Sequence, residues 1–323
     1  MTFAPQRHVS VSPLLCVLVF SLPTSSRVVS PRPLPVRLLA PGIYAVMGDT
    51  GRGSEGRPNA GFVVTDRGVI VIDALASPAQ GRQLLESIRS VTSDSIKWLV
   101  LTHHHPDHHF GAIVFRRLGA KVIAHPDRNT LAAEGGEGAL LADWVRVVGL
   151  DAMRGFEFSD QPDRPVTTVD TLQMGHETIV ISHPGAAHSA GDLMVWLPRK
   201  RVLFTGDILI EDGVTMVVDG NSGELLRALD DIVKLHPSVV VPGHGAIPSR
   251  AEDLVTRTRQ YITALRSDMK TALERGLPMG KALARLPPAD QTRPVSLNSR
   301  RRRNAVRVYV EEERVYMGLD SAQ

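Results

Sequence analysis

The most concentrated chemistry in the chain is a run of seven residues, HHHPDHH, at positions 103–109. The run holds five of the twelve histidines and follows the apolar stretch WLVLT, which predicts a strand. Functional groups of α/β proteins collect at the carboxyl ends of strands, where this run would lie. In extended chain, residues two apart point to the same side, so His103 and His105 would present two imidazoles to one ion. After the proline turn, Asp107 and His108 would face a neighbouring position.

Three more residues of metal-ligand type each follow a predicted strand. They are His188 in GAAHSAGD, Asp207 in VLFTGD and His244 in VPGHG. Together with His103, His105, Asp107 and His108 of the run, they offer five imidazoles and two carboxylates. Seven such ligands suit two ions about 3.5–4 Å apart that share a carboxylate and a hydroxide. The only cysteine, Cys16, lies in an N-terminal apolar run, so the pattern predicts a centre of nitrogen and oxygen ligands.

The remaining histidines fit structural roles better than metal binding. His104 alternates to the opposite side of the extended segment, so we predict that it is not a ligand, and we predict the same for His109. Scattered histidines most often serve at the surface or as caps, and we expect this of His8, His125, His176, His183 and His236.

The elements that must position these residues alternate between short strands and helices. Strand patterns are short apolar runs that end at turn residues, namely 62–64, 69–72, 98–101, 121–124, 178–182, 193–197, 202–205 and 238–241. A Thr-Asp-Arg-Gly turn predicts a hairpin between the first two. This mixture predicts sheets covered by helices in one compact domain.

Helix starts are predicted from capping signals. Ser77 precedes a proline and predicts an N-cap, and Ser249 with Glu252 predicts a capping box. A helix is also predicted over 110–118, and 126–156 is predicted to be a mostly helical insertion between strands.

Composition bounds the class of protein. Of the 323 residues, 43% are hydrophobic and 22% are charged, values typical of globular proteins. A net charge of +3 argues against a partner bound by bulk charge, so we expect a small-molecule substrate and no nucleic acid. The arginine run 300–303 is expected to be a solvated surface.

The N-terminal segment has the order of a secretory signal. Residues 9–22 form an apolar run after Arg7 that is too short to span a bilayer comfortably. We expect a periplasmic or secreted protein, with a cytoplasmic location as the alternative, and no transmembrane segment beyond the signal peptide. The predicted organisation is a signal peptide or disordered N-terminus in 1–30, a catalytic domain in 31–290 and a C-terminal extension in 291–323.

The order of the motifs resembles that of the metallo-β-lactamase superfamily over roughly residues 40–260. The segment His103-x-His105-x-Asp107-His108 matches its H-x-H-x-D-H signature, His188, Asp207 and His244 match its later motifs, and Asp73 in VIVID matches its early aspartate. The resemblance implies an α/β fold, a four-layer αβ/βα sandwich of two mixed β-sheets with a two-metal cleft at one edge.

The resemblance also implies a role for each motif residue. His103, His105 and His188 would bind a first zinc, Asp107, His108 and His244 a second, Asp207 would bridge them, and Asp73 would orient a ligand histidine. The expected cofactor is two Zn²⁺ per chain, with iron and manganese as alternatives. The activity implied is hydrolysis of an ester, thioester, lactone or amide by a bridging hydroxide, with Asp107 holding or relaying a proton.

Two further activities share this signature: hydrolysis of β-lactam antibiotics and iron-dependent persulfide dioxygenation. Asp207 stands where class B1 and B2 β-lactamases use cysteine, and class B3 enzymes lack the bridging aspartate. The chain most resembles exported zinc metallohydrolases associated with periplasmic quinoproteins. Substrate choice is expected from the Gly-rich segment 48–60, as a flap, and from the insertion 127–170, where Trp144 and Phe156 are either wall or core residues.

Overall fold

The computed structural model describes residues 31–49, 57–127, 136–211, 213–286 and 295–320. The predicted signal segment 1–30 and most of the predicted flap, 50–56, lie outside these ranges. Residues from Pro31 onward cluster into one compact unit. None of the helices in the described ranges combines the length and apolar character needed to cross a bilayer.

The first sheet contains seven strands in the order β1-β2-β3-β4-β5-β6-β7. Their bounds are Val36–Ala40, Ile43–Val46, Ala60–Thr65, Gly68–Ile72, Ile96–Val100, Lys121–Ala124 and Arg164–Pro165. The first four strands pair antiparallel, and β4 to β7 pair in parallel. The predicted hairpin joins β3 and β4, where the Thr65 hydroxyl donates to the carbonyl of Gly68 across the turn. An antiparallel half and a parallel half of the sheet therefore meet at β4.

The second sheet contains five strands in the order β12-β11-β10-β9-β8. From β8 to β12 their bounds are Val169–Met174, Glu177–Ser182, Met194–Leu197, Val202–Phe204 and Val239–Val241. Within this sheet, as far as the structure describes it, β11 and β12 pair in parallel and the other neighbours pair antiparallel. Each of the eight strands predicted from apolar runs is present, whereas β1, β2, β7 and β8 were not predicted.

The helices from α1 to α8 cover Pro78–Arg89, Pro106–His109, Ala112–Arg116, Gly136–Val148, Ser222–Leu235, Ala251–Glu274, Met279–Leu283 and Val295–Tyr316. The predicted N-cap is confirmed, because Oγ of Ser77 accepts from the amide of Gln80. The predicted capping box is wrong: α6 follows Arg250, which makes no side-chain cap. The predicted helix 110–118 is interrupted, because the amide of Gly111 donates to Leu75 O and not to the preceding helical turn.

Four layers, helices, sheet, sheet and helices, pack through three hydrophobic clusters. The central cluster lies between the two sheets and includes Ile70 and Val100 from the first sheet and Ile181 and Val195 from the second. Helices α1 and α3 cover the outer face of the first sheet, and α5, α6 and α8 cover that of the second. The expected αβ/βα sandwich of two mixed sheets is confirmed.

The segment set apart in the sequence as a C-terminal extension is built into this sandwich. Helix α8 packs on α6, and its Ala305, Val308 and Tyr309 belong to the same cluster as Leu265 and Met269. The arginine run lies in α8, where the guanidinium of Arg301 is 5.7 Å from the centre of the Tyr261 ring.

Candidate metal centre

The candidate site lies where strands of the two sheets end. Asp73 directly follows β4, and His103 comes three residues after β5, its parallel neighbour. Asp207 lies in a 3-10 turn, Gly206–Ile208, after β11, and His244 follows β12, which is parallel to β11. His188 lies in the loop between β9 and β10. Parallel neighbours deliver their carboxyl ends to one edge, so residues far apart in sequence meet there.

A first group of ligand atoms consists of His103, His105, His188 and Asp207, whose atoms all lie within 4.8 Å of one another. Nε2 of His103 is 3.1 Å and Nε2 of His188 is 2.8 Å from Nδ1 of His105. Nε2 of His188 is also 3.7 Å from Oδ2 of Asp207. These side chains are almost completely enclosed, so the nitrogen atoms face one another away from bulk water.

A second group consists of Asp107, His108 and His244, whose ligand atoms again lie within 4.8 Å of one another. Oδ2 of Asp107 is 3.0 Å from Nε2 of His244 and 3.6 Å from Nε2 of His108. Asp207 borders this group too, with Oδ1 at 3.2 Å from Nε2 of His108 and Oδ2 at 3.5 Å from Nε2 of His244. Asp207 therefore stands between the two groups.

Hydrogen bonds on the outer nitrogens orient the imidazoles of the first group. Nδ1 of His188 donates to the carbonyl of Met216 at 2.7 Å, and Nε2 of His105 is 3.0 Å from Oδ2 of Asp219. A carbonyl can only accept, so the proton of His188 is on Nδ1 and its Nε2 presents a lone pair inward. The same reasoning with the Asp219 carboxylate leaves the lone pair of His105 on Nδ1. Such outer acceptors are what metal-ligating histidines ordinarily have.

Asp73 organises the ring of His108 and, through Thr102, that of His103. Oδ2 of Asp73 is 2.8 Å from Nδ1 of His108 and accepts from the Thr102 hydroxyl, also at 2.8 Å. Because that hydroxyl donates its proton to Asp73, its oxygen accepts from Nδ1 of His103, 3.1 Å away. Both rings therefore turn unprotonated Nε2 atoms toward the centre, as the orienting role expected of Asp73 requires.

The arrangement fits a bound cation. Nε2 of His108 and Oδ1 of Asp207 are buried and make no hydrogen bond within the described residues, although they are 3.2 Å apart. With the His108 proton on Nδ1, two lone pairs face each other, and so do those of His105 and His188. A proton or a metal ion must lie between such pairs to make them stable.

The two groups differ in their electrostatics. Burial, followed by the neighbouring imidazoles, lowers the pKa of His103 well below its ordinary value, and it lowers that of His188. Burial also lowers the pKa of His108, but the surrounding carboxylates, led by that of Asp73, outweigh it and raise that pKa well above its ordinary value. For His244, Asp207 and Asp107 likewise overcome burial and raise the pKa. His103 and His188 of the first group are therefore neutral, whereas His108 and His244 of the second group attract protons as well as metals.

Several residues that support the ligand loops were not found from the sequence. The carboxylate of Asp192 accepts from the amides of His188 and Ser189, at 2.6 and 2.9 Å. The side-chain amide of Asn59 donates to the carbonyls of Pro242 and Gly245, on either side of His244. Asp192 in SAGD and Asn59 in NAG offered a sequence signal, since both adjoin turn residues.

A glycine makes room for the shared aspartate. A Cβ atom on Gly243 would lie 1.9 Å from Oδ1 of Asp207. The VPGHG motif thus carries a steric requirement beside its ligand histidine, because any side chain at this glycine would displace the aspartate.

The other two histidines of the run are also buried. His104 forms a third cluster of possible ligand atoms with His105 and Asp219. In this cluster, however, His105 is shared with the first group. Burial and then His105 lower the pKa of His104 to about 3, so it is neutral. Nδ1 of His109 is 3.8 Å from Oδ2 of Asp160. Neither residue joins the two groups of candidate ligands.

The aromatic residues of the insertion pack on the protein itself. Phe156 lies 4.6 Å from the ring centre of Phe110, which is buried, and Nε1 of Trp144 donates to the carbonyl of Ala76 at 2.7 Å. Trp144 thus holds the insertion against the loop that follows β4, and Phe156 holds it against the end of α2, so these two residues act in packing.

Comparison with known proteins agrees with this geometry. A family model described as the metallo-beta-lactamase superfamily matches residues 53–244. The metallo-beta-lactamase type 2 of Bacillus cereus is 24% identical over 203 residues, which are 61% of this chain and 70% of the relative. The protein of the same description from Elizabethkingia meningoseptica is 23% identical over 205 residues, 61% of this chain and 72% of the relative.

Solved structures share the fold at low identity. A metallo-beta-lactamase from Pontibacter korlensis aligns with a TM-score of 0.58 and 22% identity, covering 71% of this chain and 99% of its own. The inverting sec-alkylsulfatase Pisa1 from Pseudomonas sp. aligns with a TM-score of 0.66 and 16% identity, over 90% of this chain and 52% of its own. Because the family model spans more than half of the chain and ends on the ligand-type residue His244, the chain belongs to the metallo-β-lactamase superfamily.

Proposed function

We propose that this protein is a hydrolase that holds two divalent metal ions, zinc being the favoured ion, and cleaves an ester, thioester, lactone or amide bond in a small substrate. The observation that carries the proposal is the convergence of seven nitrogen and oxygen ligands from separate loops into two adjoining groups. Membership of a superfamily of metallohydrolases supports it.

The ligand sets follow from the two groups. His103, His105 and His188 would hold the first ion, Asp107, His108 and His244 the second, and Asp207 both. Imidazole and carboxylate ligands suit zinc, which takes about four to five ligands, and no thiolate is present among them. Oδ2 of Asp207 lies 3.7 Å from Nε2 of His188 in the first group and 3.5 Å from Nε2 of His244 in the second, which supports a bridging role for this carboxylate.

A pair of divalent ions bound there would supply a water of lowered pKa, near 7 in the well-studied zinc case, as the nucleophile. Residues of the chain would accept the proton and orient the ligands. Although burial opposes it, His108 and His244 lower the pKa of Asp107 to about 2, so this carboxylate is charged at neutral pH and able to accept a proton. Asp73 and Asp219 hold the imidazoles in one orientation, so the inner lone pairs need no rearrangement.

Hydrolysis of β-lactams is the second candidate, because the curated relatives carry that activity in their description. A β-lactam is a cyclic amide and falls within the bond classes proposed. The relative turnover rates of different substrates therefore separate the two candidates. A β-lactamase would turn over a chromogenic cephalosporin faster than lactones or thioesters.

The test combines metal content with activity. Purified protein loaded with Zn²⁺ should retain about two ions per chain and hydrolyse at least one lactone, thioester or β-lactam of a panel, whereas turnover of its phosphodiesters alone would contradict the proposed bond class. His103→Ala and Asp207→Ala should lose metal and turnover, whereas His176→Ala, at an exposed histidine, should keep both. Full turnover by either of the first two variants would refute the proposal. So would about one iron per chain with oxygen consumption, since that describes a dioxygenase.

A further inference from the structure

One loop, residues 215–222, carries the acceptors for two imidazoles of the first group. The carbonyl of Met216 accepts from His188, and the carboxylate of Asp219 lies against Nε2 of His105. The loop packs directly against the residue before His188, because a Cβ on Gly220 would lie 2.2 Å from the carbonyl oxygen of Ala187. A shift of this loop would therefore turn both imidazoles together.

A buried asparagine of helix α8 is hydrogen-bonded to the backbone of this loop. The side-chain oxygen of Asn304 accepts from the amide of Val217 at 3.0 Å, and its amide nitrogen donates to the carbonyl of Thr215 at 2.8 Å. These two contacts bracket Met216 on both sides. Asn304 is fully buried, and its amide nitrogen also donates to the Tyr261 hydroxyl at 3.2 Å, so no solvent can replace the contacts that it makes with the loop.

The same helix reaches the loop at two more points. The Arg307 guanidinium donates to the carbonyl of Gly220 at 2.6 Å, next to Asp219. The Glu311 carboxylate accepts from the amide and hydroxyl of Ser222, at the start of α5, and is itself 3.0 Å from Nε of Arg307. Spacings of three and four residues place these three α8 side chains on one helical face. A carboxylate at a helix N-terminus is also favoured by the helix dipole.

We propose that α8, through Asn304, Arg307 and Glu311, is a positioning element for the first metal-ligand group. It fixes the 215–222 loop so that Met216 O and Asp219 hold His188 and His105 with their lone pairs toward the ion. None of the three α8 residues touches the reacting atoms; each acts through the loop. The inference rests on the proposed metal centre.

The test measures Zn²⁺ affinity, by competition with a chromophoric chelator, in protein whose folding is followed separately by thermal unfolding. Removing groups that orient metal-bound histidines weakens metal binding about 10- to 100-fold. We expect Asn304→Ala and Arg307→Ala each to weaken the binding of one of the two zinc ions about tenfold and to leave the affinity for the other unchanged. Arg307→Lys, which can still donate to Gly220 O, should restore most of that affinity. Arg303→Ala, at an exposed arginine of the same helix, should bind zinc as the unaltered protein does.

A double variant separates positioning from general stability. If Arg307 acts through Asp219, adding Arg307→Ala to Asp219→Asn should weaken zinc binding no further than Asp219→Asn alone. Zinc affinities equal to those of the unaltered protein in Asn304→Ala and Arg307→Ala, with only a lower Tm, would overturn the inference. Failure of the unaltered protein to bind two ions would instead refute the proposed function, so the two failures are distinct.

Discussion

Asp73→Asn tests whether one buried carboxylate decides which nitrogen of His108 faces the metal. Asp73 accepts from Thr102 N, the Thr102 hydroxyl and Nδ1 of His108, each at 2.8 Å. Its φ of +59° lies in the left-handed region, which asparagine adopts with little strain and alanine does not. Asparagine is therefore the substitution that changes the chemistry and keeps the backbone.

The size of the effect follows from these three contacts. If the amide oxygen stays on Thr102 N, the amide nitrogen faces His108 and donates to its Nδ1, which moves the imidazole proton to Nε2. The flipped amide is disfavoured because its nitrogen would oppose the amide of Thr102. One charge-assisted hydrogen bond is lost, about 1.5–3 kcal/mol, which corresponds to about 10- to 150-fold in affinity. We expect zinc binding at the second group to weaken within that range.

The assay is a Zn²⁺ titration of the variant and of Asp94→Asn, which alters an exposed aspartate. Thermal unfolding of the metal-free proteins reports on folding, because bound metal would otherwise contribute to the Tm. The reasoning is refuted if folded Asp73→Asn binds both ions as tightly as Asp94→Asn. In that case Asp73 has no influence on the protonation of His108.

Three further outcomes are expected. Lowering the pH from about 8 to about 6 should release the ion of the second group first, since protons compete more strongly where the pKa is raised (His108) than where it is lowered (His188). Zinc content after dialysis at each pH measures this, and release in the reverse order would contradict it. Gly243→Ala should lose bound zinc, because its Cβ would overlap the bridging aspartate, whereas Gly138→Ala, in open space, should retain it; equal zinc content in both would count against the steric argument. Ser77→Ala should lower the free energy of unfolding by about 1 kcal/mol in a denaturant titration without altering zinc affinity, and no loss of stability would contradict the capping role.

Local patterns in the sequence were sufficient for the ligand-type residues and for most strands. Alternation in extended chain placed His103 and His105 on one side, and the structure brings their nitrogens to 3.1 Å. Buried strands are continuous apolar runs ended by turn residues, so eight of them could be predicted. The prediction of a capping box at Ser249 was wrong, because a motif of only a few residues does not fix where a helix begins. Helix α6 begins at Ala251, beyond the predicted cap.

The sequence by itself determined which side chains are available to bind metal, because imidazole and carboxylate groups are identified by residue type and strand ends by local pattern. Only the tertiary structure decided which nitrogen of each ring faces inward. That choice depends on acceptors such as Met216 O and Asp219, and on Asn304 behind them. A backbone carbonyl has the same chemistry at every position, so no residue type marks it, and the contact between α8 and the loop that carries it joins residues about 87 to 89 positions apart, which only the packed layers bring together.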